Sequence, residues 1–78
     1  MPPVLRVGPY RFFFYSGDSG EPPHIHVERE SETAKFWLDP VQLARSGGMR
    51  PAELRDIERL VTEHCQQLLE AWNEYFAG

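Results

Sequence analysis

The sequence predicts an α+β fold, in which an antiparallel meander of about four short strands packs against one long C-terminal amphipathic helix. The first half alternates short runs of β-branched and aromatic residues with turns that contain Gly or Pro. The last third instead repeats apolar residues every three or four positions. A chain of 78 residues has room for one domain, residues 1–78, with a modest core.

Four strands are expected within residues 3–38. The runs VLRV and YRFFFY flank Gly8-Pro9, which predicts a hairpin. The runs HIHVER and TAKFWL alternate apolar and polar residues on either side of ESE, which predicts a second hairpin. Between the hairpins, SGDSGEPP gathers turn-forming residues and is expected to be an exposed loop.

A helical turn is expected over residues 40–46, before the long helix. Asp39-Pro40 resembles the start of a helix and Gly47 resembles the residue after a helix end. The same run is also compatible with an irregular extended segment. Both interpretations remain open at this point.

The C-terminal helix is expected over residues 51–76. Pro51 suits the first helical position, and Glu53 lies where an acidic residue favours a helix start. The helix would present one apolar face to the sheet. That face contains Leu54, Ile57, Val61, Cys65, Leu68, Trp72, Tyr75 and Phe76.

The end of this helix is a candidate partner-binding surface. At 1.5 Å per residue, 26 residues extend roughly 39 Å, whereas a domain of this size is about 30 Å across. The end is therefore expected to overhang the sheet, with Trp72, Tyr75 and Phe76 forming an apolar contact surface. Alternatively, the sheet or the N-terminal strand curls over these three residues.

Composition limits the classes of function. The net charge is −4, and the acidic excess lies in residues 51–78, so nucleic acid is expected only as a substrate. No apolar run is long enough to cross a membrane. The single Cys65 excludes an internal disulfide and a cysteine-based zinc site, and a cytoplasmic setting is expected. A core this small also makes a homodimer a reasonable expectation.

His24 and His26 are the candidate catalytic residues. Side chains alternate along a strand, so both histidines are expected to point outward on one face while Ile25 and Val27 face the core. Two imidazoles about 6.6 Å apart can act as general acid and base on a phosphoester. Arg11 or Arg29 would then steady the phosphate. The alternative is that the rings simply bond to neighbouring groups.

A metal site lacks a third ligand in the sequence. Glu28 lies about 13 Å along the strand from His24, too far to share one ion. Another ligand would have to come from a different element, such as His64. The sequence therefore predicts neither a metal nor a cofactor.

Three segments resemble one bacterial family, the domain of unknown function 4160. They are RFFFYSGDSGEPPHIHVERESETAKFWLDPVQLA, ELRDIERLV and LLEAWNEYF, and EPPHIHVE with AKFWL is the most specific part. The resemblance places His24 and His26 at the family's paired-histidine motif and implies no established reaction. It also implies a small protein often encoded beside another one, commonly of the domain of unknown function 2442 type, as in toxin–antitoxin pairs.

Two functions are therefore expected. The first is a protein-interaction component of a two-gene cassette of the toxin–antitoxin type, whose partner is the small protein encoded beside it. The second is a small histidine-dependent phosphoester hydrolase, such as a ribonuclease-like toxin, that uses His24 and His26.

Overall fold

A computed structural model describes residues 3–77 and contains one antiparallel sheet followed by two helices. The strands lie in chain order across the sheet: β1 (Leu5–Val7), β2 (Tyr10–Phe13), β3 (His24–Arg29), β4 (Glu32–Leu38) and β5 (Val41–Arg45). The helices are α1 (Pro51–Glu63) and α2 (Cys65–Tyr75). A short 3₁₀ segment, Ser16–Gly20, connects β2 to β3 and is called the covering turn below. The α+β class and the antiparallel meander are confirmed.

The sheet has five strands rather than about four. The fifth strand, β5, occupies the segment for which a helical turn over 40–46 was predicted, so that prediction is wrong. The chain reverses at residues 39–40, which places Val41 opposite Leu38 and continues the ladder with β4. Cross-strand pairing therefore overrides the helix-like signals at the two ends of this segment.

The predicted helix over 51–76 is divided into α1 and α2 at His64, whose φ of −105° and ψ of 14° depart from helical values. The His64 ring donates from Nδ1 to the carbonyl oxygen of Leu60 at 2.9 Å, in competition with the backbone. Backbone hydrogen bonds meet at the junction from both sides, because the His64 N–H donates to the Leu60 carbonyl and the Leu68 N–H donates to the His64 carbonyl. The junction is therefore a local distortion between two helices, not a loop.

The main core lies between the helices and one face of the sheet. Alternation along the strands places Phe12, Val27 and Ala34 side by side, since β2, β3 and β4 pair in that register. The buried cluster consists of Phe12, Phe14, Ile25, Val27, Ala34, Phe36, Leu38, Met49, Ile57, Val61, Leu68 and Trp72. Burial of this apolar surface is the main force that holds the helices on the sheet.

The aromatic end of α2 is partly covered. Trp72 is 7 % exposed and its ring stands perpendicular to that of Phe14, with 5.3 Å between centroids. Phe76 is half-buried against the core, whereas Tyr75 is 41 % exposed. Thus Phe14, which follows β2, covers Trp72 and leaves Tyr75 at the surface. No helix within residues 3–77 has the length and apolarity to cross a membrane.

Candidate functional site

His24 and His26 lie on the opposite side of β3 from Ile25 and Val27, as strand alternation predicts. They are buried, however, with exposures of 0 % and 3 %, rather than pointing outward toward a ligand. The expectation of open imidazoles is therefore wrong. Aromatic rings enclose both side chains: Trp72 and Trp37 contact His24, and Tyr15 contacts His26.

Asp18, in the covering turn, completes a compact group with the two histidines. Its Oδ2 lies 3.0 Å from His26 Nε2 and 3.2 Å from His24 Nε2. One potential ligand atom from each residue lies within 4.8 Å of the other two. We call Asp18, His24 and His26 the Asp–His cluster. It forms because the covering turn folds back over the histidine side of the sheet.

The two histidines use their ring nitrogens differently. His24 Nδ1 lies 2.8 Å from the Pro22 carbonyl oxygen and donates to it, which leaves its Nε2 facing Asp18. That Nε2 is buried and lacks the alignment for a hydrogen bond, so it has no hydrogen-bond partner among residues 3–77. His26 Nε2 does bond to Asp18, at 3.0 Å, whereas its Nδ1 is buried and unpartnered within the same residues.

Electrostatics favour an ionised Asp18 beside a neutral His26. Burial raises the pKa of Asp18, but the Tyr15 N–H at 2.9 Å and the two histidines together outweigh burial and lower that pKa. Burial lowers the pKa of His26, and the nearby Asp18 carboxylate only partly opposes this effect. At neutral pH an ionised Asp18 therefore accepts the hydrogen bond of a neutral His26.

Charged residues close the rim of the cluster. Glu21 Oε1 lies 3.9 Å from His24 Nδ1 and accepts a hydrogen bond from Lys35. That bond to Lys35 lowers the pKa of Glu21. The Lys35 ammonium also lies 4.6 Å from the centre of the Trp37 ring. Glu21 and Lys35 thus secure the segment that follows the covering turn to the same side of the sheet.

The other residues predicted for this site lie elsewhere. Arg11 pairs with Glu28 at 2.7 Å, and Arg29 Nε lies 3.2 Å from the Glu53 carboxylate on α1. Both arginines predicted to hold a phosphate are therefore already bound to carboxylates. His64, suggested as a third metal ligand, bonds to Leu60 at the helix junction instead.

Asp18 is the residue that the sequence argument did not identify. Its signal is weak, because an aspartate among Gly and Ser residues is common in exposed turns. The useful clue is the Pro22-Pro23 pair, which directs the end of this segment straight into β3. Asp18 and His26 are eight positions apart in the sequence, and only the path of the folded turn brings their side chains together.

The fold and this cluster define a small α+β protein with a buried Asp–His cluster on the side of β3 opposite Ile25 and Val27. The sequence matches the family described as "Domain of unknown function (DUF4160)" over residues 10–73, and the chain belongs to that family. The matched region runs from β2 into α2 and contains the whole cluster. No curated protein and no solved structure matches the chain.

Proposed function

We propose that this protein is the protein-interaction component of a two-gene cassette of the toxin–antitoxin type and binds the small protein encoded beside it. The chain belongs to the domain of unknown function 4160 family. The resemblance to that family implies a small protein often encoded beside another one, commonly of the domain of unknown function 2442 type, and this supports the proposal. The observation that carries the interaction is the open sheet edge at β5, Val41–Arg45.

The edge of β5 is suited to accept an extended segment. Within residues 3–77, β5 pairs only with β4, and its residues after Val41 are exposed. Edge strands leave N–H and C=O groups without ladder partners, and many proteins bind an added strand there. Leu43 is 39 % exposed and offers apolar contact to the side chains of such a strand. Strand addition at β5 is therefore the proposed binding mode.

The aromatic end of α2 is a proposed second contact. Tyr75 is 41 % exposed and Phe76 is half-buried, so these residues contribute surface, whereas Trp72 supports them from the core. A shallow groove beside Tyr75 gives this contact a concave shape. The groove is lined by Val4, Ala71, Glu74 and Tyr75.

Co-expression with the product of the adjacent gene tests the proposal. The complex would be purified through a tag on the neighbour and its mass measured by light scattering. Leu43→Lys places a charge on the β5 edge and should weaken binding about tenfold or more, equivalent to about 1.4 kcal/mol. Gln67→Lys, which adds the same charge on an exposed position of α2, is the matched control and should bind normally.

Three results would change this conclusion. Normal binding by Leu43→Lys together with loss in Tyr75→Glu would move the interface to the end of α2. A stable pair of identical chains without the neighbour would replace the cassette partner with a homodimer. A wild-type chain that binds neither would show that the interaction function is wrong.

A histidine-dependent phosphoester hydrolase is the alternative, and the geometry supports it less well. Burial of His24 and His26 keeps a phosphoester away unless the covering turn opens, and Arg11 and Arg29 are paired with carboxylates. The alternative requires growth inhibition on expression that His26→Ala abolishes. Full toxicity of a His24→Ala, His26→Ala variant would exclude it.

A further inference from the structure

We propose that the Asp–His cluster binds one divalent transition-metal ion, with zinc as the best fit, and that the ion fastens the covering turn to β3. The ligands are Asp18 Oδ2, His24 Nε2 and His26 Nε2. This inference is independent of the proposed partner and of any hydrolytic activity.

The orientation of His24 favours a bound cation. Its Nδ1 hydrogen bond to the Pro22 carbonyl selects the neutral tautomer that carries its proton on Nδ1 and its lone pair on Nε2. The His24 ring is fully buried, and its Nε2 lies 3.2 Å from Oδ2 of the ionised Asp18 carboxylate. Two such acceptors repel each other unless a cation lies between them. A donor bond from one ring nitrogen to a carbonyl is also the usual support for a metal-binding histidine.

The distances from Asp18 Oδ2 to the two Nε2 atoms also suit a zinc ion. Zinc bonds of about 2.0–2.1 Å in a tetrahedral arrangement place neighbouring ligand atoms about 3.3 Å apart. Asp18 Oδ2 already lies 3.0 and 3.2 Å from the two Nε2 atoms. All three ligand atoms lie within 4.8 Å of one another, so the widest separation must close by up to about 1.5 Å to reach tetrahedral spacing. Two imidazoles with one carboxylate favour zinc and its neighbours over magnesium or calcium, which prefer oxygen ligands.

The proton balance at His26 sets a limit on affinity. Its Nε2–H donates to Asp18 in the metal-free protein, and on metal binding this proton shifts to Nδ1, with no proton lost. His26 Nδ1 is buried and has no acceptor within residues 3–77. A buried donor without a partner is unfavourable, so binding should be weaker than at a fully satisfied structural zinc site.

The competing explanation is a proton. Protonated His24 beside ionised Asp18 would form an ion pair and relieve the same repulsion without metal. The two explanations differ in the response to added metal. A protonated cluster could bind an ion only by releasing the extra proton, whereas the proposed site should bind one ion per chain without releasing a proton.

Cobalt provides the test, because its visible absorption reports coordination number and ligand type. The full chain, freed of metal with a chelator, should take up one Co²⁺ with a four- or five-coordinate spectrum, and one equivalent of Zn²⁺ should displace it. Tryptophan fluorescence should fall with Co²⁺, because Trp37 and Trp72 contact the His24 ring at 5.6 and 5.1 Å.

Variants assign the ligands. His24→Gln and Asp18→Asn should each weaken Co²⁺ binding at least about tenfold. His64→Gln removes the histidine outside the cluster and should bind as the wild type does. Circular dichroism checks that each variant is folded.

Nuclear magnetic resonance of the histidine ring nitrogens in the wild-type chain tests the site without any variant. Zinc should shift the signals of His24 and His26 and leave those of His64 unchanged. The proposal is overturned if the wild type binds neither ion, if His64→Gln is as defective as the cluster variants, or if the His24 signals do not respond to zinc.

Discussion

The hydroxyl of Tyr10, on β2, donates a hydrogen bond of 3.2 Å to the carboxylate of Glu53, in the first turn of α1. The same carboxylate oxygen lies 3.2 Å from Nε of Arg29, at the end of β3. Glu53 therefore connects two strands to the beginning of the helix, although 43 positions separate it from Tyr10.

Tyr10→Phe removes one of these connections and keeps the ring. We expect the free energy of unfolding to fall by about 1 kcal/mol, the usual net value of one hydrogen bond, because Arg29 still pairs with Glu53. Urea denaturation at neutral pH measures the change. Tyr15→Phe, at a residue 51 % exposed, is the control and should change stability less. Equal losses in the two variants would contradict a structural role for the Tyr10 hydroxyl.

The same pair predicts a response to alkaline pH. Burial, and then the Glu53 carboxylate, raise the pKa of Tyr10 above its usual value of 10.0. A raised pKa in the folded state means that the contribution of Tyr10 is complete below pH 10 and is lost as the pH rises through the folded value. The stability advantage of the wild type over Tyr10→Phe should therefore shrink above pH 10. A difference that stays constant at alkaline pH would refute this.

Gly47→Ala should strongly destabilise the protein. Gly47 has a φ of +64°, and a Cβ there would lie 1.9 Å from the Thr33 carbonyl oxygen. The backbone conformation alone costs about 1–2 kcal/mol for a residue with a Cβ, and the clash adds to this. Thermal unfolding would detect the loss. Gly20→Ala, where a Cβ meets nothing within 4 Å, is the matched control and should behave almost as the wild type.

Phe14 and Trp72 should show energetic coupling. Their perpendicular rings, 5.3 Å apart, form the contact that covers the end of α2. A double-mutant cycle with Phe14→Leu and Trp72→Leu should give about 0.5–1.5 kcal/mol of coupling, the value typical of aromatic pairs. Additive losses in unfolding free energy would mean that other contacts hold the end of α2 in place.

The local signals in the sequence predicted the hairpins and the start of α1 well, because alternation and Pro51 depend on nearby residues. They failed where distant residues decide. At β5, the pairing with β4 outweighed the helix-like ends, and at Asp18 the path of a turn determined which side chains meet. Burial of His24 also depends on Trp72, 48 positions later in the chain, which no strand pattern reveals.

The central strand, β3, is enclosed on both sides: the main core lies beneath Ile25 and Val27, and the Asp–His cluster lies above them. Its first four residues are all buried, and β2 and β4 flank it. Its amide protons should consequently exchange with deuterated water only when the whole molecule opens, whereas those of β5 exchange through local fraying. The backbone amides of this small protein should therefore exchange slowly in the central strand and quickly in the edge strand.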